Sequence, residues 1–322
     1  LNSAHSAFSA VKGFCSRVYR VSIRNSGRII FCRPYVRILY SGIIHRMMRI
    51  LKKIKFQRLS VIPWQKISYL IFGVFVLAWL LNTPSGLLGK ADAVGYAVCH
   101  RIDTRSFHIG ARQFSFCARC TGQYMGVVLG LVYQLMIGRR RSGRPSWGKI
   151  AVLGVLALAY GLDGFHSYLH LLPGNPIHFY EPNNILRVLT GTGLGIGLSV
   201  IVLPGFHQTI WKTRDRRPAL GSWLQFGGLL SLGLLLDFLV LTENPLILYP
   251  MALISAAGVM IVLTLVYTMV FVMLFRLENR FDRLSELIFP LASGFMIALL
   301  QIAAIDFLRY WWTGTWEGFH FG

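Results

Sequence analysis

Three cysteines and a histidine in the first half of the chain have the spacing of a metal site. Cys117 and Cys120 are one helical turn apart, so on a helix both sulfurs emerge on the same face. Cys99 and His100 precede this pair by a short segment. A Cys3His set is a common closed zinc site with tetrahedral geometry. The pattern therefore predicts zinc bound by Cys99, His100, Cys117 and Cys120.

The same cysteines also fit two other interpretations. A helix N-terminus lowers the pKa of a thiol, which suits disulfide exchange as well as metal binding. Cys117 and Cys120 would then be a redox pair, with Cys99 as the exchanging partner and a quinone as the electron acceptor. Alternatively, the cysteines are buried as small apolar side chains.

A second polar group follows on one helix face. Asp163, His166 and His170 lie within about 60° of one another around a helix and could hold a metal with an open position. The alternative is that the two histidines are amphipathic residues at a membrane boundary. Asn184 and Arg187 are one turn apart at a helix start, where Asn can cap the helix. We expect catalytic roles for Asp163 as a base and for Asn184 and Arg187, with Arg187 holding an anion.

Arginines accompany both groups. Arg101, Arg105 and Arg119 are predicted to bind substrate, because Arg at a membrane surface can pair bidentately with the phosphate of a lipid headgroup or a phosphorylated substrate. The alternative is that these arginines, together with Arg112 and Arg187, neutralise the membrane carboxylates Asp163, Asp237 and Asp306.

The composition indicates that these residues are positioned by membrane helices. Mean hydropathy is +0.55, 54% of residues are apolar and 14% are charged, against about 25% charged residues in soluble domains. A helix needs roughly 20 apolar residues to cross a bilayer. The sequence predicts an all-α polytopic bundle of about seven transmembrane helices, in the cell membrane, near residues 64–82, 116–137, 150–171, 185–205, 220–241, 246–275 and 286–308.

Charge in the connections predicts the orientation. Lys and Arg concentrate in the N-terminal segment and in residues 139–149, 212–217 and 276–283, which all fall on one side of a seven-span count. The positive-inside rule then places the N-terminus in the cytoplasm and the C-terminus outside. The cysteines and the other polar residues singled out above lie on the predicted outer side, which includes a loop over residues 83–115.

Residues 1–58 contain 13 Lys or Arg and no Asp or Glu. We interpret them as a basic cytoplasmic arm, or as partly upstream of a true start at Met47 or Met48, with residues 59–322 forming the membrane domain. The net charge of +21 indicates contact with anionic membrane lipids and not with nucleic acid. Glycines spaced by four predict close helix approach at Gly122, Gly126 and Gly130 and at Gly191, Gly195, Gly193 and Gly197.

The run C-H-R-x4-S-F-x-I-G-x2-Q-x3-C-A-R-C-T-G-x-Y-x-G, from Cys99 to Gly126, resembles the signature of a prokaryotic membrane family, domain of unknown function 2085. The later D-G and N-x-x-R-x-x-T-G runs also fit that pattern. The resemblance covers about residues 85–200 and implies one grouped site without naming its chemistry. It includes the following positions: Cys99, His100, Cys117, Arg119, Cys120, Asp163, Asn184 and Arg187.

Three functions follow from these patterns. The first is a zinc-binding membrane protein acting on a lipid-borne or phosphorylated substrate. The second is a membrane thiol–disulfide oxidoreductase. The third is a transporter lined by the membrane aspartates, which the scarcity of ionisable residues in the inner half of the spans disfavours.

Overall fold

The computed structural model describes residues 61–170 and 180–318. The basic arm predicted over residues 1–58 lies outside the described residues. Over the described ranges the protein is an all-α bundle whose helices are α1 Val61–Asn82, α2 Gly86–Val98, α3 Ala118–Ile137, α4 Trp147–Leu169, α5 Asn184–Ile210, α6 Trp223–Leu241, α7 Pro245–Leu274 and α8 Ile288–Thr313.

Length and hydropathy identify the membrane helices. The helices α3 to α7, together with α8 and the short 3-10 turn before it, make six segments that are long and apolar enough to span a membrane. The pair α1 and α2 makes a seventh if it is counted as one bent span. Large apolar side chains such as Leu224 and Leu246 are exposed on the outside of the bundle, where lipid is the solvent. The protein is therefore a multi-pass membrane protein, as predicted.

The predicted loop over residues 83–115 is largely regular structure. Its first half is α2, which is bent by 101° from α1, and the Lys90 ammonium secures this bend by donating to the backbone oxygens of Leu80 and Thr83. Its second half is an antiparallel hairpin, β1 Ser106–Ile109 and β2 Arg112–Cys117. The turn contains Gly110 with a φ of +62°, a left-handed value that glycine adopts without steric cost.

Glycines bring α3 and α5 together, which confirms the predicted close approach. A Cβ added at Gly126 would lie 2.6 Å from the backbone oxygen of Thr192, and Gly122, Gly191 and Gly195 also face backbone of the other helix. Gly193 faces α4 instead, where its neighbour is Leu156. Backbones this close leave no room for side chains between the helices.

The three basic connections predicted on one side meet at one end of the bundle, which we call the basic end. The short strand β3 Arg141–Gly143 pairs with β4 Asp215–Pro218, and the Arg140 guanidinium donates to the carbonyl of Asp282 at 2.6 Å. Buried Lys149 donates to the carbonyls of Leu220 and Gly221 at 2.8 and 2.7 Å. That the basic end faces the cytoplasm stays a prediction from the positive-inside rule.

The opposite end, which we call the cysteine end, has its own apolar core. Phe107, Phe114 and Phe116 of the hairpin are 0–1% exposed, and they pack in one cluster with Leu248 and Ala252 of α7. This burial fixes the hairpin against the bundle, and β2 leads directly into α3. The residues that begin α3 are thereby held in place from both sides.

Candidate metal centre and arginine cluster

Cys99 ends α2 in a turn that points backbone N–H groups at its sulfur. Arg101 has a φ of +50°, a left-handed value that is uncommon for a residue with a Cβ. In this turn the Cys99 sulfur accepts hydrogen bonds from the N–H of Arg101 at 3.5 Å and from the N–H of Cys117 at 3.3 Å. The N–H of Cys117 acts to lower the pKa of Cys99, but the side-chain hydrogen bond to Cys117 outweighs it.

Cys117 is the N-cap residue of α3, and Cys120 lies in the first turn of that helix. The sulfurs of Cys99, Cys117 and Cys120 all lie within 4.8 Å of one another, so the structure brings together the three predicted cysteine ligands. Hydrogen bonds from the Cys120 and Cys99 thiols hold the pKa of Cys117 well below its ordinary value. The hydrogen bond of Cys99 to Cys117 raises the pKa of Cys99 to about 12. One thiolate therefore forms readily here, and further thiolates require a neighbouring cation.

His100 lies beside this group of sulfurs. Its Nδ1 accepts the N–H of Ile102 at 3.1 Å, which leaves the proton of the neutral ring on Nε2, and the ring hydrogen-bonds Cys117. Arg309, near the end of α8, holds the same turn by donating to the carbonyls of Tyr96 and Cys99 at 2.5 and 2.7 Å. Its guanidinium also lies 4.0 Å from the centre of the Tyr96 ring.

A buried ion pair adjoins the metal-ligand group. The Arg119 Nε donates to Oδ2 of Asp163 at 3.1 Å, its Nη2 contacts the same oxygen, and Nη2 also donates to the Ser167 hydroxyl at 3.1 Å. Gly164 of α4 faces this guanidinium, and a Cβ added there would lie 3.5 Å from Nη1 of Arg119, an ordinary van der Waals contact. Arg105 donates to the carbonyl of Ser167 at 2.7 Å, close to the negative end of the α4 dipole. Burial and the charge of Arg119 lower the pKa of Arg105.

Tyr180 completes the surroundings of Asp163. Its hydroxyl donates to Oδ1 of Asp163 at 2.8 Å, and burial together with this bond raises the pKa of Tyr180 to about 12. The Nε2 of His166 donates to the Tyr180 carbonyl at 2.8 Å, while His170 packs edge-on against the His166 ring. Among the described residues, the ligand atoms of Asp163, His166 and His170 form no metal-binding group. The second metal constellation predicted on α4 is absent from that part of the chain.

The start of α5 brings a third arginine. Asn183 caps the helix by accepting the N–H of Leu186 at 2.8 Å, so the capping residue is Asn183 and not the predicted Asn184. Asn184 instead accepts from Nη1 of Arg187 at 2.8 Å. Arg187 is 6% exposed, and Arg105, Arg119 and Asp163 are among the ionisable groups close to it. We call Arg105, Arg119 and Arg187 the arginine cluster.

The remaining predicted arginines lie in a separate network. Arg101 pairs with one oxygen of Asp92 at 3.5 Å, and Arg112 pairs with the other. Asp92 also accepts from the Ser115 hydroxyl at 2.7 Å. The predicted substrate-binding set of Arg101, Arg105 and Arg119 is therefore divided between two networks.

The two other membrane aspartates do not join the arginine cluster. Asp237 accepts from the Thr192 hydroxyl at 2.5 Å, and Asp306 accepts from the Trp79 indole at 3.4 Å. Within residues 61–170 and 180–318, the ion pairs include neither aspartate. Arginine neutralises Asp163 as the alternative interpretation predicted, but no ion pair of this kind forms at Asp237 or Asp306.

Sequence reasoning missed three residues of the site: Asp92, Tyr180 and Arg309. Asp92 lies in the segment predicted as a loop, which the structure shows to be α2. Tyr180 and Arg309 reach the site from other parts of the chain, through contacts between residues that no local pattern connects.

Comparison with known proteins places the family similarity on the hairpin and on helices α3 to α5. The family model described as "Predicted membrane protein (DUF2085)" matches residues 99–201. An uncharacterized protein of Methanothermobacter thermautotrophicus is 30% identical over 104 residues, which cover 32% of this chain and 83% of that protein. An uncharacterized protein of Methanocaldococcus jannaschii is 28% identical over 120 residues, which cover 37% of this chain and 70% of that protein. No solved structure matches the chain significantly.

Proposed function

We propose that this chain, which belongs to the predicted membrane protein family DUF2085, is a zinc-binding membrane protein whose metal centre closes the cysteine end of the bundle. The ligands are Cys99, Cys117 and Cys120. The observation that carries the proposal is the convergence of their three sulfurs within 4.8 Å, although Cys99 reaches the other two from a different helix.

The donor set fits zinc. A Zn–S bond of about 2.3 Å in tetrahedral geometry places sulfurs about 3.8 Å apart, which is compatible with three sulfurs that all lie within 4.8 Å of one another. The backbone donors to Cys99 and the ring of His100 beside Cys117 are the outer contacts that favour thiolates and orient them. When bound, zinc would supply the positive charge that lets the second and third thiols ionise together.

The role that follows is structural. Cys99 belongs to the turn after α2, while Cys117 and Cys120 belong to the start of α3. A shared ion would therefore tie α2 and the hairpin to the helix that carries Arg119. Asp163 accepts hydrogen bonds on both of its oxygens, which favours a positioning role over the predicted role as a base. The finer proposal of a lipid-borne or phosphorylated substrate is supported by the arginine cluster.

Elemental analysis of protein purified in detergent, under reducing conditions and without chelator, tests the metal centre. We expect about one zinc per chain, lost in Cys117→Ser and Cys120→Ser. The control is Cys15→Ser/Cys32→Ser, which removes the two cysteines of the N-terminal segment and should retain zinc. His100→Gln retains zinc if the ring acts through Cys117, and loses it if the ring is the fourth ligand. Absence of metal, with Cys117 and Cys120 disulfide-bonded in untreated membranes, would refute the proposal in favour of the quinone-linked oxidoreductase.

A further inference from the structure

The arginine cluster holds more positive charge than its protein partners balance. Arg105 and Arg187 are 9% and 6% exposed, and the side chains of Arg119 and Asp163 are 14% and 3% exposed. Three guanidinium groups thus share one carboxylate. Buried charges in proteins are normally paired, because an unpaired one loses its hydration without compensation.

Other carboxylates of this end are committed elsewhere or exposed. Asp92 pairs with Arg101 and Arg112, and Asp103 pairs with His108 at the surface. Glu181 is exposed. The connection over residues 171–179 contains no Asp or Glu in its sequence, so it brings no carboxylate to the cluster.

The cluster also has an unused donor. The Nη1 of Arg187 donates to Asn184, but its Nε is buried and has no hydrogen-bond partner. A buried N–H without a partner is costly. The N-termini of two helices, α3 and α5, reach the same place and add partial positive charge. These features all favour a group that is negatively charged and accepts several hydrogen bonds.

We propose that the arginine cluster binds a phosphate group, carried either by a lipid headgroup or by a soluble phosphate. Guanidinium groups match phosphate oxygens in bidentate geometry, and the cluster carries two positive charges that Asp163 does not balance. The proposal deepens the proposed function but stands on the arginine cluster and not on the metal. A zinc with three thiolates would carry a single negative charge and offset one of these two positive charges, so one positive charge would still remain for the phosphate.

Phosphate binding is measured on the full chain in nanodiscs of phosphatidylcholine, whose headgroup phosphate carries only one negative charge. Inorganic phosphate is titrated against potassium chloride of equal ionic strength, and the midpoint of thermal unfolding is recorded. A second arm replaces part of the lipid with phosphatidic acid and omits inorganic phosphate. We expect stabilisation in at least one arm, and the arm that responds identifies the source of the phosphate.

Arg187→Gln is expected to weaken phosphate binding at least about tenfold, the loss that follows from removing one charged hydrogen-bonding group. Arg112→Gln is the matched control, because it removes the same charge at the same end but outside the cluster. Arg187→Lys keeps the positive charge at this position, so it serves as a second variant in case Arg187→Gln fails to fold. Stabilisation that is equal in wild type, Arg187→Gln and Arg112→Gln, or absent from both arms in wild type, would overturn the proposal. Repeating the titration with Cys117→Ser separates failure of the metal centre from failure of the phosphate site.

Discussion

The substitution Asp163→Asn removes the one carboxylate inside the arginine cluster while keeping its shape. Asn at this position still accepts the Tyr180 hydroxyl, but it cannot neutralise Arg119, whose Nε and Nη2 both contact Oδ2. The change therefore isolates the charge of Asp163 from its packing.

The magnitude follows from burial. Breaking a buried ion pair by removing one partner costs about 3 to 5 kcal/mol, whereas an exposed pair contributes about 0 to 1 kcal/mol. Asp163 is almost fully buried and Arg119 is 14% exposed at its side chain, so the cost given for a buried ion pair applies. Since the bond from Tyr180 survives, we expect about 3 kcal/mol of lost unfolding free energy.

Reversible unfolding in mixed micelles measures this loss, with Asp103→Asn as the control because the Asp103 carboxylate is 67% exposed. The double variant Arg119→Gln/Asp163→Asn should recover part of the loss, since no unpaired charge then remains in that pair. Phosphate should stabilise Asp163→Asn more than wild type, because the cluster then loses the negative charge of Asp163. A cost below about 1 kcal/mol for Asp163→Asn would refute the buried-pair reasoning.

Two further predictions concern packing and the basic end. Gly126→Ala should destabilise the fold by about 1 to 3 kcal/mol in a thermal unfolding scan, because its Cβ would meet the Thr192 backbone oxygen. The control is Gly154→Ala, where nothing lies within 4 Å of the added Cβ, and this variant should be neutral or stabilising in the same scan. Lys149→Met should lower the unfolding midpoint by leaving the carbonyls of Leu220 and Gly221 without their donor, whereas Lys212→Met, at a side chain 64% exposed, should not.

Local patterns predicted the spans and the helix approach correctly. A run of apolar residues determines a membrane helix by itself, and glycines four residues apart mark one face, so α3 and α5 were predicted from the sequence. The convergence of Cys99 with Cys117 and Cys120 was also predicted, because the intervening segment is short. In contrast, α2 has 13 residues, which are too few to span a membrane. Its residues were therefore predicted as part of a loop.

The partners of the predicted polar residues could not be predicted. Asp163 and His166 share a helix face as expected, yet their partners are Arg119 and Tyr180, which reach α4 from other elements. A spacing pattern states which side chains share a face and not which element packs on it. For the same reason the role of Arg309 could not be predicted, because its contacts with the end of α2 depend on how α8 packs.

The glycine contact between α3 and α5 has a mechanical consequence for the site. Helices whose backbones touch cannot slide or separate by rotating side chains. The helices α3 and α5 therefore form a rigid pair, which holds the backbones of Arg119 and Arg187 at a constant separation. The helix α4, which carries Asp163, packs on this helix pair through side chains such as Leu156. Any displacement of α4 would therefore change the separation of Asp163 from Arg119, while the backbones that carry Arg119 and Arg187 would keep theirs.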